Sequence, residues 1–118
     1  MKCGDGDEMI SKQLVDNADM VAEFLSAIGN GTRLAIMCHL LCGELSVGEI
    51  AEKVELSQSA LSQHLAKLRG MGLVETRRER QMIYYSCSSP NVQRVLLTLD
   101  DIFGVPASAP TMARPAGI

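Results

Sequence analysis

Six hydrogen-bonding or cationic side chains share one side of a predicted helix in the segment LSQSALSQHLAKLR, residues 56–69. Leu61, Leu65 and Leu68 are spaced four and three residues apart, so they form the apolar side of that helix. The other side carries Gln58, Ser59, Ser62, Gln63, Lys67 and Arg69. Glutamine can bond the N6 and N7 edge of adenine, serine can bond several base edges, and cations can bind phosphate. The segment therefore predicts a helix that lies in a DNA groove.

The residues beside this helix favour the same interpretation. Ser57 precedes the helix and is predicted to cap its free backbone N–H groups. A merely solvated face is the alternative interpretation of the polar side, but three arginines follow at short distance, among residues 77–80. His64 is predicted either to pack at the edge of the helix or to contact base or phosphate. The polar helix and the arginines together indicate a DNA-binding surface.

The distribution of charge is more informative than its sum. The 118-residue chain has a net charge of −3. Residues 1–30 hold six acids and two cations, whereas residues 67–80 hold five cations and two acids. The excess of positive charge therefore coincides with the polar helix and the segment after it, where phosphates would lie. Aromatic residues make up only 3% of the chain, which argues against binding single strands by stacking.

Three further helices are predicted before the polar helix, from the spacing of apolar residues over residues 14–28, 32–42 and 46–54. Ser46 and Glu49 form a predicted capping box at the start of the third of these helices. Only residues 55–57 separate it from the polar helix. Two short helices joined by about three residues form a helix-turn-helix unit.

A predicted β-hairpin and a last helix follow the polar helix. Residues 73–78 and 82–86 have strand composition, with residues 79–81 as the turn. Pro90 begins a helix whose five- to six-residue apolar stripe is easiest to bury against a second copy of the chain. The predicted fold class is mainly α with a small β-hairpin. The architecture is a winged helix-turn-helix: four helices, a two-stranded wing and a fifth helix.

The chain is predicted to form one domain with two tails. Residues 1–12 are predicted to be disordered, residues 13–103 to form a domain for DNA binding and dimerisation, and residues 104–118 to be a flexible tail. No apolar run is long enough to span a bilayer, and no signal-peptide pattern is present. We therefore expect a cytoplasmic protein without a membrane partner. No catalytic constellation or cofactor motif is present, so we expect neither enzymatic activity nor a cofactor.

The sequence resembles the ArsR/SmtB family of small winged-helix repressors and, within it, the NolR-like branch. Two motifs carry the resemblance: AIGNGTRLAIMCHLL (residues 27–41) and ELSVGEIAEKVELSQSALSQHLAKLRGMGLVETRRERQMIYYS (residues 44–86). The resemblance implies a homodimer, joined through the first and last helices, on an imperfect inverted repeat near a promoter. It implies that base edges are faced by Gln58, Ser59, Ser62 and Gln63. It also implies that His64 reaches the DNA backbone and that the flanking minor groove is contacted by Arg78, Arg80 and Gln81.

The metal sites of that family are not expected here. The cysteines of its arsenic and cadmium sensors would lie where this chain has Ser46 and Gly48, and the last helix lacks the histidines of its zinc sensors. Redox-sensing relatives pair a cysteine on the second helix with one near the end of the last helix. Cys38 matches the first position, but Gly104 stands near the second, so the partner cysteine of that pair is missing. Because the cysteines and histidines of the family's metal sensors are also missing, we predict no metal site.

Cys38 and Cys42 are the candidate redox residues, and Cys38 is otherwise predicted to face inward as a small apolar residue. They lie one helical turn apart, near the upper end of disulfide reach, so a bridge between them would strain the helix.

Three functions compete. The leading hypothesis is a homodimeric, sequence-specific regulator of transcription, most simply a repressor, whose partner is a double-stranded DNA operator. The second is a repressor that senses thiol oxidation or reactive sulfur through Cys38, which leaves open whether any redox or small-molecule effector acts. The third is a protein-interaction module that has kept the fold and lost DNA binding. The polar helix and its neighbouring arginines favour the first.

Overall fold

The computed structural model describes residues 10–104 of the chain. The predictions of a disordered N-terminal segment and a flexible C-terminal tail therefore fall almost entirely outside the described residues. The first helix begins at Lys12, one residue before the predicted start of the domain, and the Ser11 hydroxyl caps it by accepting a hydrogen bond from Leu14 N at 3.2 Å.

The predicted winged helix-turn-helix fold is confirmed. The elements are α1 (Lys12–Asp16), α2 (Ala18–Ile28), α3 (Gly31–Leu41), β1 (Leu45–Ser46), α4 (Val47–Val54), α5 (Gln58–Gly70), β2 (Val74–Glu79), β3 (Met82–Cys87) and α6 (Pro90–Phe103). The single helix predicted over residues 14–28 is divided at Asn17, whose backbone (φ −100°, ψ 18°) ends α1. In the described part of the chain, none of these helices combines the length and apolarity needed to cross a membrane.

The apolar side of α5 anchors this helix in the core. Leu61, Leu65 and Leu68 are at most 2% exposed and pack in one cluster with Ile36 and Met37 of α3. Burying a leucine side chain contributes about 1.5–3 kcal/mol. Rotating α5 about its axis would expose all three leucines at once, so the core fixes the direction in which the polar side of α5 points.

The predicted helix-turn-helix is confirmed in its details. The Ser46 hydroxyl accepts a hydrogen bond from Glu49 N at 3.2 Å, and the Glu49 carboxylate accepts one from Ser46 N at 2.8 Å, which completes the capping box of α4. Glu55 ends α4 in the left-handed region (φ 57°), and Leu56 N donates to Ala51 O at 3.1 Å. This tight turn sets α5 directly after α4.

The wing is a three-stranded antiparallel sheet in the order β1-β3-β2. The predicted hairpin of β2 and β3 is confirmed. A third strand that was not predicted joins it, because Leu45 and Ser46 pair with β3 opposite Tyr85 and Tyr84. Glu79 pairs with Met82, so the turn at the tip has two residues, 80 and 81, rather than the predicted three. Strand β1 ties the base of the wing to the start of α4.

Candidate nucleic-acid interface

The polar side of α5 forms an exposed reading face. At 100° per residue, Ser59, Gln63 and Ala66 lie on the side of the helix opposite its three buried leucines, and Ser62 lies on the adjoining flank. All four are exposed. The structure therefore brings three of the predicted base-contacting side chains onto one surface and leaves room around a small alanine at its centre.

The hydroxyls on this face are partly engaged within the helix. Ser57 accepts a hydrogen bond from Ala60 N at 3.2 Å, which confirms its capping role, and its hydroxyl lies 3.3 Å from that of Ser59. The Ser62 hydroxyl donates to Gln58 O at 2.8 Å. The Gln63 amide, by contrast, makes no hydrogen bond to any residue between 10 and 104 and is exposed, so it is available to a base edge.

Two predicted contact residues lie at the edges of the reading face. Gln58 leans towards α4: its Nε2 is 3.8 Å from where a Cβ on Gly48 would stand. His64 is half-buried on the side of α5 that faces the α2–α3 corner, with its Nδ1 3.5 Å from Nη1 of Arg33. The structure thus places His64 at the helix edge, and its contact with DNA stays a prediction.

The two cations of α5 flank the reading face on opposite sides, and Arg69 is the one that lies towards the wing. Lys67 and Arg69 are exposed in the last turns of the helix, where positive charge also interacts favourably with the helix dipole. Arg69 lines a shallow recess of about 480 Å³ together with Ser62 and with Tyr85 of β3. The polar helix and the wing therefore border one continuous surface.

The two adjacent arginines of the wing have different environments. Arg77 lies 2.8 Å from Glu44 and 2.6 Å from Glu79, and its guanidinium is 4.7 Å from the centre of the Tyr84 ring. The hydrogen bond from Arg77 lowers the pKa of Glu44, and the two carboxylates raise the pKa of Arg77. Arg77 is thus engaged within the wing, and we do not place it among the DNA-contacting residues.

The tip of the wing presents the remaining predicted contacts. Arg78 Nε donates to Arg80 O at 3.1 Å, which braces the two-residue turn. Arg80 has a left-handed backbone (φ 60°), a conformation that costs most residues free energy and that glycine adopts readily. Both side chains and that of Gln81 are exposed. The tip of the wing therefore presents exposed cations at a position whose backbone favours glycine.

The sequence reasoning missed Arg33 and Glu44. Glu44 pairs with Arg77, which lies 33 residues later in the chain, and no local sequence pattern predicts such a pair. Arg33 had a signal: a cation in the first turn of a helix opposes the helix dipole, so its side chain is better placed near carbonyl groups elsewhere. The structure shows it at the carbonyls of Ser26 and Ala27, at the end of α2.

The prediction that Cys38 faces inward was wrong. Ile36, Met37 and Leu40 are the residues of α3 that point into the core, and Cys38 lies on the other side of the helix, where it is exposed. Cys38, Cys42 and Cys87 are free thiols. Partial burial of the Cys38 thiol raises its pKa, with further contributions from Asp100 and Cys42. Within residues 10–104, no three His, Cys, Asp or Glu side chains are grouped so as to hold a metal ion.

Because the pKa of Cys38 is raised, we predict that its thiol is alkylated slowly. In a variant with serine at Cys3, Cys42 and Cys87, iodoacetamide should alkylate Cys38 more slowly at pH 8 than it alkylates an unstructured cysteine peptide, because less thiolate is present. Asp100→Asn should speed the reaction by removing a negative charge. Mass spectrometry over a range of pH measures both rates. A midpoint of the pH–rate curve below that of the peptide would contradict the structure.

Comparison with known proteins identifies the family. The family described as "Bacterial regulatory protein, arsR family" matches residues 30–76, from the cap of α3 into β2. Nodulation protein NolR of Rhizobium meliloti is 54% identical over 89 residues, which cover 75% of this chain and 73% of that protein. The chain belongs to the arsR family of bacterial regulatory proteins. This arsR-family protein is also 45% identical to the transcriptional activator HlyU of Vibrio cholerae over 98 residues, covering 83% of this chain and 91% of HlyU.

Solved structures of relatives share the fold of this arsR-family regulator. The transcriptional repressor BigR of Xylella fastidiosa superimposes with a TM-score of 0.76 at 35% identity, covering 80% of this chain and 97% of BigR. A homodimeric winged helix-turn-helix DNA-binding domain from Mycobacterium bovis superimposes with a TM-score of 0.67 at 32% identity, covering 80% and 87% of the two chains. The protein is a DNA-binding regulator of transcription with a winged helix-turn-helix.

Proposed function

We propose that this regulator binds an imperfect inverted repeat near a promoter as a homodimer and represses transcription from that promoter. One observation carries the proposal: three buried leucines of α5 hold an exposed face on which the Gln63 amide has no partner among the described residues. An exposed amide with no partner on its own helix, beside an arginine-bearing wing, is free to bond a base edge. The proposal assigns the protein no catalytic role and places it with its operator, in the bacterial cytoplasm.

The groove between α2 and α6 supports a second copy of the chain as the dimer partner. This α2–α6 groove is an open cleft of about 640 Å³, lined by Met20, Val21, Phe24, Asn91, Arg94, Val95, Thr98 and Leu99. Met20 is 62% exposed, and Ile102, further along α6, is 61% exposed. Apolar side chains this accessible around a groove mark interaction sites. A two-fold axis through the groove would bring two reading helices to half-sites about 10 base pairs apart.

The proposed contacts divide between affinity and sequence choice. Lys67, Arg69, Arg78 and Arg80 are assigned to phosphates, and each neutralised phosphate steepens the dependence of affinity on salt by about 0.9 on logarithmic axes. Gln63, with help from the serine and glutamine side chains around it, is assigned to base edges. Repression then needs no surface beyond these, because a dimer seated on a promoter excludes RNA polymerase by occupancy.

The thiol-sensing alternative makes a different prediction. It requires operator affinity to change when Cys38 is oxidised, whereas the raised pKa of Cys38 keeps its thiol protonated and weakly nucleophilic at neutral pH. We therefore propose a repressor whose DNA binding does not depend on Cys38. Equal operator affinities of the parent and Cys38→Ser, with and without a mild thiol oxidant, are the expected result.

The proposed function is tested by selecting bound fragments from the genome of the source bacterium at physiological salt. We expect a small set of fragments that share an inverted repeat, two chains bound per site, and less transcript from an attached promoter in a purified transcription reaction. Failure to retain any fragment above a random-sequence control would revive the protein-interaction module. If fragments were retained but transcription from the attached promoter increased, DNA binding would be supported and repression would be contradicted.

Substituting Arg80 tests the assignment of the wing. Arg80→Gly should change the free energy of unfolding by less than about 1 kcal/mol, since relief of the left-handed backbone offsets the added freedom of the unfolded chain. The same variant should lose affinity for DNA and flatten the salt dependence by about one unit on logarithmic axes. Fluorescence anisotropy titrations at several salt concentrations measure this slope. Gln81→Ala, which removes an uncharged side chain from the same turn, is the control and should leave the salt slope unchanged whatever its effect on affinity. An unchanged slope in Arg80→Gly would remove Arg80 from the phosphate contacts.

A further inference from the structure

Arg33 connects three helices through one side chain. Its Nε donates to Ala27 O, its Nη2 donates to Ser26 O at 3.0 Å, and its Nη1 lies 3.5 Å from Nδ1 of His64. Its backbone N–H is held as well, because the Asn30 side chain accepts from it at 3.0 Å as the cap of α3. The guanidinium therefore joins the end of α2, the start of α3 and the middle of α5.

The chemistry of these contacts suits a rigid connection. The last turn of α2 contains no basic residue, so Arg33 supplies the cation that satisfies its terminal carbonyls and its dipole. Guanidinium is planar and only donates, so its contact with Nδ1 requires that atom of His64 to be free of a proton and to accept. The proton of a neutral ring is then on Nε2. One planar group thus fixes both the end of α2 and the orientation of the His64 ring.

The position of this connection gives it a consequence for the dimer. Helix α2 forms one wall of the α2–α6 groove, which the proposed function assigns to the partner copy, whereas α5 carries the reading face. In a dimer, the distance between the two reading helices depends on how firmly each α5 is held against its own α2. Among residues 10–104, the hydrogen bonds of Arg33 are the polar link between α2 and α5, in addition to core packing.

We infer that Arg33 is a positioning residue that acts through His64 to set the spacing between the two reading helices, and hence between the half-sites that the dimer accepts. The inference rests on the proposed binding of an inverted repeat by a homodimer. It assigns Arg33 no contact with DNA. It predicts that the loss of Arg33 relaxes the choice of spacing more than it weakens the reading of one half-site.

The test measures affinity for two synthetic operators, one with the selected spacing and one with a single base pair inserted between the half-sites. The insertion rotates and displaces one half-site relative to the other, so the parent should bind it much more weakly. Arg33→Lys keeps the charge but cannot reach two carbonyls and an imidazole together. We expect this variant and His64→Ala to reduce the ratio of the two affinities by about threefold to thirtyfold. Arg33→Lys should also leave the affinity for an isolated half-site nearly unchanged, whereas His64→Ala removes a predicted DNA contact whose loss affects both operators and cancels in the ratio.

A double-substitution cycle distinguishes positioning from simple capping of α2. If Arg33 acts through His64, the double variant with Arg33→Lys and His64→Ala should lower the ratio of the two operator affinities hardly more than either single substitution does. Proton-coupled ¹⁵N spectra of labelled histidine should also show the Nε2–H form of His64 in the parent and lose that preference in Arg33→Lys. Lys12→Gln, which alters an exposed cation of α1 paired with Asp16, is the control and should leave the ratio unchanged.

Two outcomes would overturn the inference. The first is an Arg33→Lys variant of lowered thermal stability that discriminates between the two spacings as the parent does, since Arg33 would then only cap α2. The second is a His64→Ala variant with undiminished discrimination. A parent protein that binds neither operator would contradict the proposed function itself, so the two failures are separable.

Discussion

Replacing Met20 by glutamate should convert the proposed homodimer to monomers and lower operator affinity by about 100-fold or more, because a bivalent contact becomes a single one. Met20 lines the α2–α6 groove and is 62% exposed, so the fold of one chain tolerates the change. Dimerisation does not, because two carboxylates would have to be desolvated at a mostly apolar interface. Analytical ultracentrifugation and anisotropy titration of the operator measure the two effects.

Leu97→Glu is the matched control for Met20→Glu. Leu97 is 63% exposed on α6 and is not among the residues that line the groove. At 100° per residue, its side chain points about 130° around the helix axis from the middle of that lining. We expect Leu97→Glu to remain a dimer with operator affinity close to that of the parent. If Met20→Glu remained dimeric, or if Leu97→Glu also became monomeric, the dimer interface could not be assigned to the α2–α6 groove.

Gln63→Ala should weaken operator binding by about 1–3 kcal/mol, which is roughly 5-fold to 150-fold per half-site, because a bidentate contact with a base edge is lost. Binding to random DNA should change little, since that binding depends on phosphates. Competition titrations with operator and random duplexes measure the two affinities in parallel.

Lys67→Ala supplies the opposite pattern to Gln63→Ala. As a phosphate contact, Lys67 should contribute equally to operator and random DNA, so both affinities should fall together and the salt dependence should flatten by about one unit. If Gln63→Ala lowered the two affinities by the same factor, Gln63 would not be reading bases. The pair of variants thus separates sequence choice from electrostatic attraction on a single helix.

The parts of the fold that are encoded locally could be predicted from the sequence. The spacing of Leu61, Leu65 and Leu68 fixed both the existence of α5 and the direction of its polar side. The Ser46–Glu49 capping box located the start of α4 to the residue. In each case the interacting groups lie within one or two helical turns, so a pattern of spacing contains the geometry.

Features that depend on contacts distant in sequence could not be predicted in this way. Strand β1 has only two residues and exists because β3 offers it partners. The inward prediction for Cys38 failed because a helix with apolar residues on several sides does not reveal which side the core will cover. Arg33 and His64 are 31 residues apart in the chain, and the sequence around either residue does not predict a contact with the other. These features set how the reading face is held.

Hydroxyl-radical footprinting of the protein on a selected genomic fragment shows directly whether a dimer reads two half-sites. We expect two protected segments, related by two-fold symmetry and centred about 10 base pairs apart, with additional protection on the outer flanks where the tips of the two wings lie. A single protected segment, or uniform protection along the fragment, would contradict a dimer that reads two half-sites with α5.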